Sequence, residues 1–298
     1  MCGIVGLFSK SPSIENHLGE LLARMLIEMT ERGPDSTGVA VYRDRAPGSM
    51  TKITLLSRDG EFDWQGMNDE VSRVFPGSGS LKSAENHAVV TIDAPASRFR
   101  EWVAGEHPEL YINSTGTSME IYKEKGLPSD VVDRFGVSAM QGTHALGHTR
   151  MATESRVTTE HSHPFSTGED LCLVHNGSLS NHNRLREFLV KQGLDFYTDN
   201  DSEVAAGYLT WRLREGMSLD EALQAALLDL DGFYTFAIGT RDGFAVLRDP
   251  IACKPAVMAE TGDWVAMASE YRAIAVLPGA DQAECWEPEP ATVYSWSH

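Results

Sequence analysis

An α+β fold is predicted for this chain of 298 residues, and two observations predict it. Strand-like runs are grouped near both ends of the chain, and helical patterns fall between the groups instead of following every strand. The regular alternation that builds a parallel βαβ sheet is therefore missing. In order, Gly3–Phe8 is an apolar run suited to a buried strand. Ile14, Leu18, Leu21, Leu22, Met25, Leu26 and Met29 then recur at helical spacing, which predicts an amphipathic helix. Gly33-Pro34 stops it, since both residues oppose continuation. Thr37–Tyr42 is the next strand, and 144–149, 171–175, 233–240 and 243–248 follow the same pattern between turn residues. Helices are expected at about 181–191, 202–214 and 219–229, the last opened by Ser218 and Glu221 as a capping box.

The stretch from about 45 to 142 differs, being rich in Gly, Ser and Pro at its start. Strands are expected there at 88–93 and near 119–123, with a short helix over 128–139. No internal repeat or low-complexity tract is visible. The whole chain, 1–298, is taken as a single domain carrying this insertion and a short C-terminal extension, 277–298.

Composition excludes several function classes. With 43 acidic and 25 basic residues the formal charge is −18, and no Lys/Arg-rich run exists to neutralise phosphates, so a nucleic-acid partner is set aside. The acidity suits solubility or docking to a basic subunit. The four cysteines (Cys2, Cys172, Cys253, Cys285) are far apart and form no C-x-x-C pair, which argues against a zinc site or a disulfide framework and suits a reducing cytosol. No metal ligands are assigned. The start lacks a basic region ahead of its short apolar run, and nothing approaches the ~18 apolar residues of a membrane span. A cytoplasmic protein is expected.

The residues that carry chemistry begin at Cys2. Once Met1 is removed, Cys2 holds a thiol and a free α-amine, a nucleophile beside a base that titrates at about 7.7–8.0. Taken alone it is equally a small apolar residue opening a strand. Arg32-Gly33-Pro34-Asp35-Ser36 is a rigid turn holding an Arg near an Asp. In Gly147-His148-Thr149-Arg150-Met151-Ala152-Thr153, the Arg150 fork suits either a ligand carboxylate or a structural salt bridge. His175-Asn176-Gly177-Ser178 follows an apolar strand and is either an ordinary turn or a pair of donors, Asn176 amide and Gly177 N–H, aimed at one oxyanion. Asp199-Asn200-Asp201-Ser202-Glu203 opens a helix; one carboxylate is expected to cap it, leaving another for a ligand ammonium.

Together, in this order, these segments resemble the class II glutamine amidotransferases, the N-terminal-nucleophile (Ntn) type. The resemblance extends through Asp231–Ile238, Leu247-Arg248-Asp249-Pro250, Lys254-Pro255 and Ala268-Ser269-Glu270, covering about 2–44 and 143–276. It implies a four-layer α/β/β/α sandwich of two stacked antiparallel sheets. It also implies that Cys2 attacks the glutamine side-chain amide, that Asn176 and Gly177 form the oxyanion hole, that Arg150 and Thr153 hold the substrate carboxylate, and that Asp201 pairs with its ammonium. His161 and His163 then belong to a loop lining the glutamine pocket, since a metal site needs more ligands at fixed spacing. Cys172 and Cys253 are expected to be structural. Met151 departs from the tryptophan found in several family members, which bears on how a lid covers the site.

No acceptor domain is recognisable after Glu270, so nitrogen is expected to pass to a separate synthase subunit. Size and insertion resemble the stand-alone amidotransferase subunit of N-methylglutamate synthase and of glutamate-synthase-like systems. That resemblance implies a hetero-oligomer acting on glutamine or glutamate, with no cofactor on this chain, and FMN and an iron–sulfur cluster on a partner. Two alternatives stay open: a non-catalytic structural or regulatory subunit, and an Ntn hydrolase of another amide. The paired Arg150 and Asp201 disfavour the last, because an acylated substrate lacks a free α-ammonium.

Overall fold

The computed structural model describes residues 2–58, 61–79, 81–151 and 157–298. Strand β1 (Gly3–Ser9) is buried on both faces, which is why its sequence is apolar without alternation. Val5 and Leu7 point to helix α1 (Pro12–Glu28), whose buried stripe Ile14, Leu18, Leu21, Leu22, Met25 and Leu26 is the one the spacing predicted. Ile4 and Phe8 point the other way, toward a second sheet. A single 3-10 turn, Thr30–Arg32, leads from α1 into β2 (Ser36–Tyr42).

The insertion follows as β3 (Thr51–Ser57), α2 (Trp64–Val74), β4 (Lys82–Ala84), β5 (His87–Ile92), α3 (Ala96–Glu106) and β6 (Leu110–Gly116). Its four strands make their own antiparallel sheet, in the order β4-β5-β3-β6. Ile53, Leu55, Val90 and Ile92 pack there against Met67, Val71, Phe75, Phe99 and Val103 of the two helices and their ends. Next come β7 (Met119–Lys125), α4 (Pro128–Arg134) and β8 (His144–Arg150). The helix expected over 128–139 is shorter, because Gly136 adopts φ +61° and a 3-10 turn, Val137–Ala139, replaces its second half. Strand β7 is an edge of the main sheet, and the insertion packs against it, which shields an edge that could otherwise recruit another chain.

After β9 (Phe165–Gly168), β10 (Leu171–Leu179) runs further than the expected 171–175. Asn176 and Gly177 are thus inside a strand, paired with Thr235 and Tyr234, and not in a turn. Helices α5 (His182–Lys191), α6 (Asp201–Arg214) and α7 (Leu219–Asp229) follow, the last with its Ser218–Glu221 capping box formed. The chain finishes with β11 (Gly232–Thr240), β12 (Gly243–Arg248), β13 (Val257–Glu260), β14 (Trp264–Ala268), α8 (Tyr271–Ala275), β15 (Glu284–Trp286) and β16 (Thr292–Ser297).

Two antiparallel sheets result, β15-β13-β14-β1-β8-β2-β7 and β16-β12-β11-β10-β9. Residues 277–298 supply an outer strand to each, β15 and β16. Ile4, Tyr42, Leu146, Val174, Phe244 and Met267 fill the space between the sheets. Helices α1, α4 and α8 cover one outer face, and α5, α6 and α7 cover the other. This is the α/β/β/α sandwich that the resemblance implied. Each fully buried Leu, Ile or Phe in these three interlayers contributes about 1.5–3 kcal/mol. Among the described residues, no helix is long and apolar enough to cross a membrane.

Candidate functional site at the amino terminus

Cys2 stands at the mouth of the sandwich, one residue before β1, and is half-buried. The β1–β8 register puts Gly3 opposite Thr149, and Ile4 N–H donates to Ser269 Oγ at 2.9 Å. The Cys2 carbonyl accepts from Arg32 Nε at 2.9 Å and from Asn176 Nδ2 at 3.3 Å. Arg32 in turn pairs with Glu270 at 2.6 Å. Residues separated by more than two hundred positions in the chain therefore meet around one thiol.

Cys2, Arg150, Asn176, Gly177 and Asp201 line a single pocket of about 280 Å³. Thr153 lies outside the described residues. Arg150 ends β8 opposite Ser36 and is only 6% exposed; its Nη1 donates to the His161 carbonyl at 3.4 Å. Gly177 has φ +151°, and a Cβ there would come within 2.0 Å of the Phe233 carbonyl oxygen. Only glycine tolerates that approach, and it lines the pocket at this point of the strand.

Asp201 opens α6, but the helix cap is Asn200, whose side chain accepts from Ser202 N–H at 2.9 Å. The expectation that a carboxylate caps this helix is thus corrected. An amide performs the capping, which leaves the Asp201 carboxylate pointing at the pocket. Its Oδ2 accepts from Leu179 N–H at 2.8 Å, and its Oδ1 lies 3.7 Å from His175 Nδ1. Burial opposes its ionisation, yet His175 and the Leu179 N–H outweigh that and hold its pKa at about 2. It is an anion at any physiological pH. Glu203, by contrast, is committed to structure, accepting from Tyr197 N–H, Thr198 N–H and the Thr198 hydroxyl.

Behind the pocket, Ser202 Oγ bridges His163 Nε2 at 2.8 Å and His175 Nδ1 at 2.9 Å. The His148 ring stacks on His163 with centroids 4.0 Å apart. Burial drives the His148 pKa down to about 3, with His175 and Arg150 adding to the effect against one backbone hydrogen bond. His163 is likewise pushed well below its usual value by burial and its charged neighbours. Both rings are neutral spacers at neutral pH.

His163 lines the pocket, as expected of its loop. Sequence reasoning missed Lys254, which also lines it and lies 5.1 Å from the centre of the Phe233 ring. The available signal was its place in the Arg248-Asp249-Pro250 to Lys254-Pro255 motif. Asn200 and Ser202 were passed over in favour of their acidic neighbours. Cys172 is buried between the sheets, 3.4 Å from Tyr42 Oη. Cys253, expected to be structural, is exposed on the loop after β12. Among the described residues, no group of three His, Cys, Asp or Glu side chains could hold a metal ion.

The arrangement offers a half-exposed thiol, two candidate donors beside it, and a cation and an anion across a small cleft. Comparison with known proteins gives the family. Residues 148–276 match the family described as the glutamine amidotransferase domain. The chain is 55% identical over 300 residues to the glutamine amidotransferase-like protein GlxB of Rhizobium meliloti, covering 100% of this chain and 99% of that one. A relative from Methanothermobacter thermautotrophicus is 32% identical over 307 residues, covering 99% of each. Among solved structures, glutamine phosphoribosylpyrophosphate amidotransferase from B. subtilis superposes with a TM-score of 0.62 at 21% identity. That match covers 99% of this chain and 49% of the other, so the chain spans about half of that enzyme and shares its fold. With full-length relatives at this level of identity, the chain belongs to the class II, N-terminal-nucleophile family of glutamine amidotransferases.

Proposed function

We propose that this chain is a glutaminase-type amidotransferase subunit in which Cys2, freed of Met1, is the nucleophile. The α-amine takes the thiol proton, and the thiolate attacks the side-chain amide carbon of glutamine. The oxyanion that forms is met by Asn176 Nδ2 and the Gly177 N–H. The protonated amine then gives its proton to the departing nitrogen, releasing ammonia. Water hydrolyses the γ-glutamyl thioester to glutamate and regenerates the thiol. Arg150 and Asp201 read the two opposite charges of a free amino acid, which rejects simple amides and amines. Thr153 is assigned to the same carboxylate grip by resemblance alone.

The observation that carries this reading is the convergence of Cys2, Arg150, Asn176, Gly177 and Asp201 on one pocket from four separate chain segments. The test is intact mass before and after an electrophilic glutamine analogue. The expected result is loss of one methionine and a single adduct, prevented by glutamine and absent in Cys2→Ala. Retained methionine with no adduct, even with partner subunits present, would leave a non-catalytic subunit as the answer.

The further proposal is that nitrogen passes to a separate synthase subunit, within an N-methylglutamate synthase or glutamate-synthase-like complex. FMN and an iron–sulfur cluster would reside on that partner, and methylamine with glutamate would give N-methylglutamate. Support comes from the resemblance of the chain's motifs and insertion to such subunits. Purifying the chain with the products of adjacent genes tests it. A yellow complex forming N-methylglutamate is expected; a colourless complex that only aminates another acceptor would reject it.

A further inference from the structure

The insertion reaches the pocket through one buried lysine. Lys123, on β7, is 1% exposed and its Nζ donates to the carbonyls of Glu160 and Ser162, each at 3.1 Å. The carbonyl between them, that of His161, is held from the other side by Arg150 at 3.4 Å. Three consecutive carbonyls of the loop before β9 are thus gripped by cations from two strands. Among the described residues, no carboxylate lies within ion-pair distance of Lys123 Nζ. The loop carbonyls and the faces of Tyr111 and Phe165, 5.3 and 5.1 Å away, are what compensates the buried charge. Burial lowers its pKa to about 8, against the opposing pull of Glu203 and Glu160, so the ammonium prevails at neutral pH.

The same loop is fixed on its remaining sides. A Cβ on Gly38 of β2 would fall 2.0 Å from the His163 carbonyl, so the loop lies directly on that strand. His163 Nε2 reaches Ser202, whose hydroxyl is 3.3 Å from Asp201 Oδ1. The insertion contributes Tyr111 against Lys123 and Asn86, which donates to Glu124 at 2.7 Å while Thr159 of the loop donates to the same carboxylate at 2.6 Å.

We propose that Lys123, backed by the 51–116 insertion, is a positioning residue that sets this loop and thereby the Arg150 and Asp201 pair that binds the substrate's charged ends. The proposal rests on the glutamine reading above, and it gives the insertion a role in substrate affinity. It touches no reacting atom, so affinity and not the chemical step is what changes.

The test follows alkylation at Cys2 by peptide mass, using an electrophilic glutamine analogue and, separately, iodoacetamide, which carries no amino-acid charges. In Lys123→Met, the glutamine concentration giving half-protection rises about tenfold or more, while the saturating rate with the analogue stays within about threefold. The iodoacetamide rate is unchanged. Thr159→Val and Asn86→Ala move half-protection in the same direction by less, and they decide the matter if Lys123→Met does not fold. Unchanged half-protection in the folded variants overturns the proposal. So does an equal loss of reactivity toward both reagents, which marks a general disturbance. If glutamine fails to protect Cys2 in the wild-type chain, the glutamine reading itself falls, a result distinct from either.

Discussion

Arg32 and Cys2 are tied through the main chain: the Arg32 Nε donates to the Cys2 carbonyl at 2.9 Å while its Nη1 pairs with Glu270 at 2.6 Å. The guanidinium thus anchors the residue that carries the thiol to the segment after β14. Lysine presents a compact point charge in place of the planar fork, so it does not hold both partners in this fixed geometry. Arg32→Lys is expected to lower kcat about ten- to hundredfold with half-protection by glutamine changed less than about threefold. Glu270 is 34% exposed, so the ion pair itself adds at most about 1 kcal/mol. Equal kcat values for the variant and wild type would remove Arg32 from this role.

Asn176 supplies the only side-chain donor assigned to the oxyanion, and its Nδ2 already lies 3.3 Å from the Cys2 carbonyl. Asn176→Asp keeps the shape and removes the donor. Loss of about 10²–10³ in kcat is expected, equivalent to about 2.7–4 kcal/mol of transition-state stabilisation. Steady-state ammonia release checks it, and a change confined to KM would argue that Asn176 binds substrate instead.

Asp170, at the far end of β10, is a structural counterpart. Its carboxylate accepts from the Thr117 N–H and hydroxyl, each at 2.7 Å, from Ser118 N–H at 2.9 Å and from Met119 N–H at 3.0 Å. It therefore fastens the β6–β7 turn to the β9–β10 turn. Asp170→Ala strands three backbone donors and is expected to cost about 3–5 kcal/mol in urea unfolding. Asn176, which contacts the Cys2 carbonyl, is six residues further along, roughly 20 Å at the usual strand rise, so activity per folded molecule is expected to persist.

Buried histidines set a pH dependence of stability. Burial lowers the pKa values of His87, His144 and His148 to about 3. The unfolded chain takes up these protons near pH 6.5, whereas the folded chain does not until about pH 3. Stability is therefore full above pH 6.5 and falls on acidification through that window, by about 1.4 kcal/mol per pH unit for each histidine. His144→Gln, remote from the pocket, is expected to flatten the slope of unfolding free energy between pH 6 and pH 4.5 by about one proton. An unaltered slope would show that His144 is protonated in the folded chain.

Local physics was legible in the sequence. The stripe of α1 and the Ser218–Glu221 capping box depend on neighbours three or four residues away, so spacing alone reveals them. The strand cores were visible for the same reason, as was the order of motifs that pointed to Cys2, Arg150, Asn176, Gly177 and Asp201. What the sequence could not decide was whatever depends on distant partners. Gly177 looks like a turn residue until β11 pairs with it and Phe233 forbids a side chain. Asn200 could not be preferred over Asp201 as the cap until the Leu179 N–H claimed the carboxylate. Lys123 reads as one more charge at the end of an expected strand, and only the tertiary packing buries it against the Glu160 and Ser162 carbonyls. Composition and periodicity encode which faces must be covered; only the tertiary register determines what covers them, because burial is a property of the partner as much as of the residue.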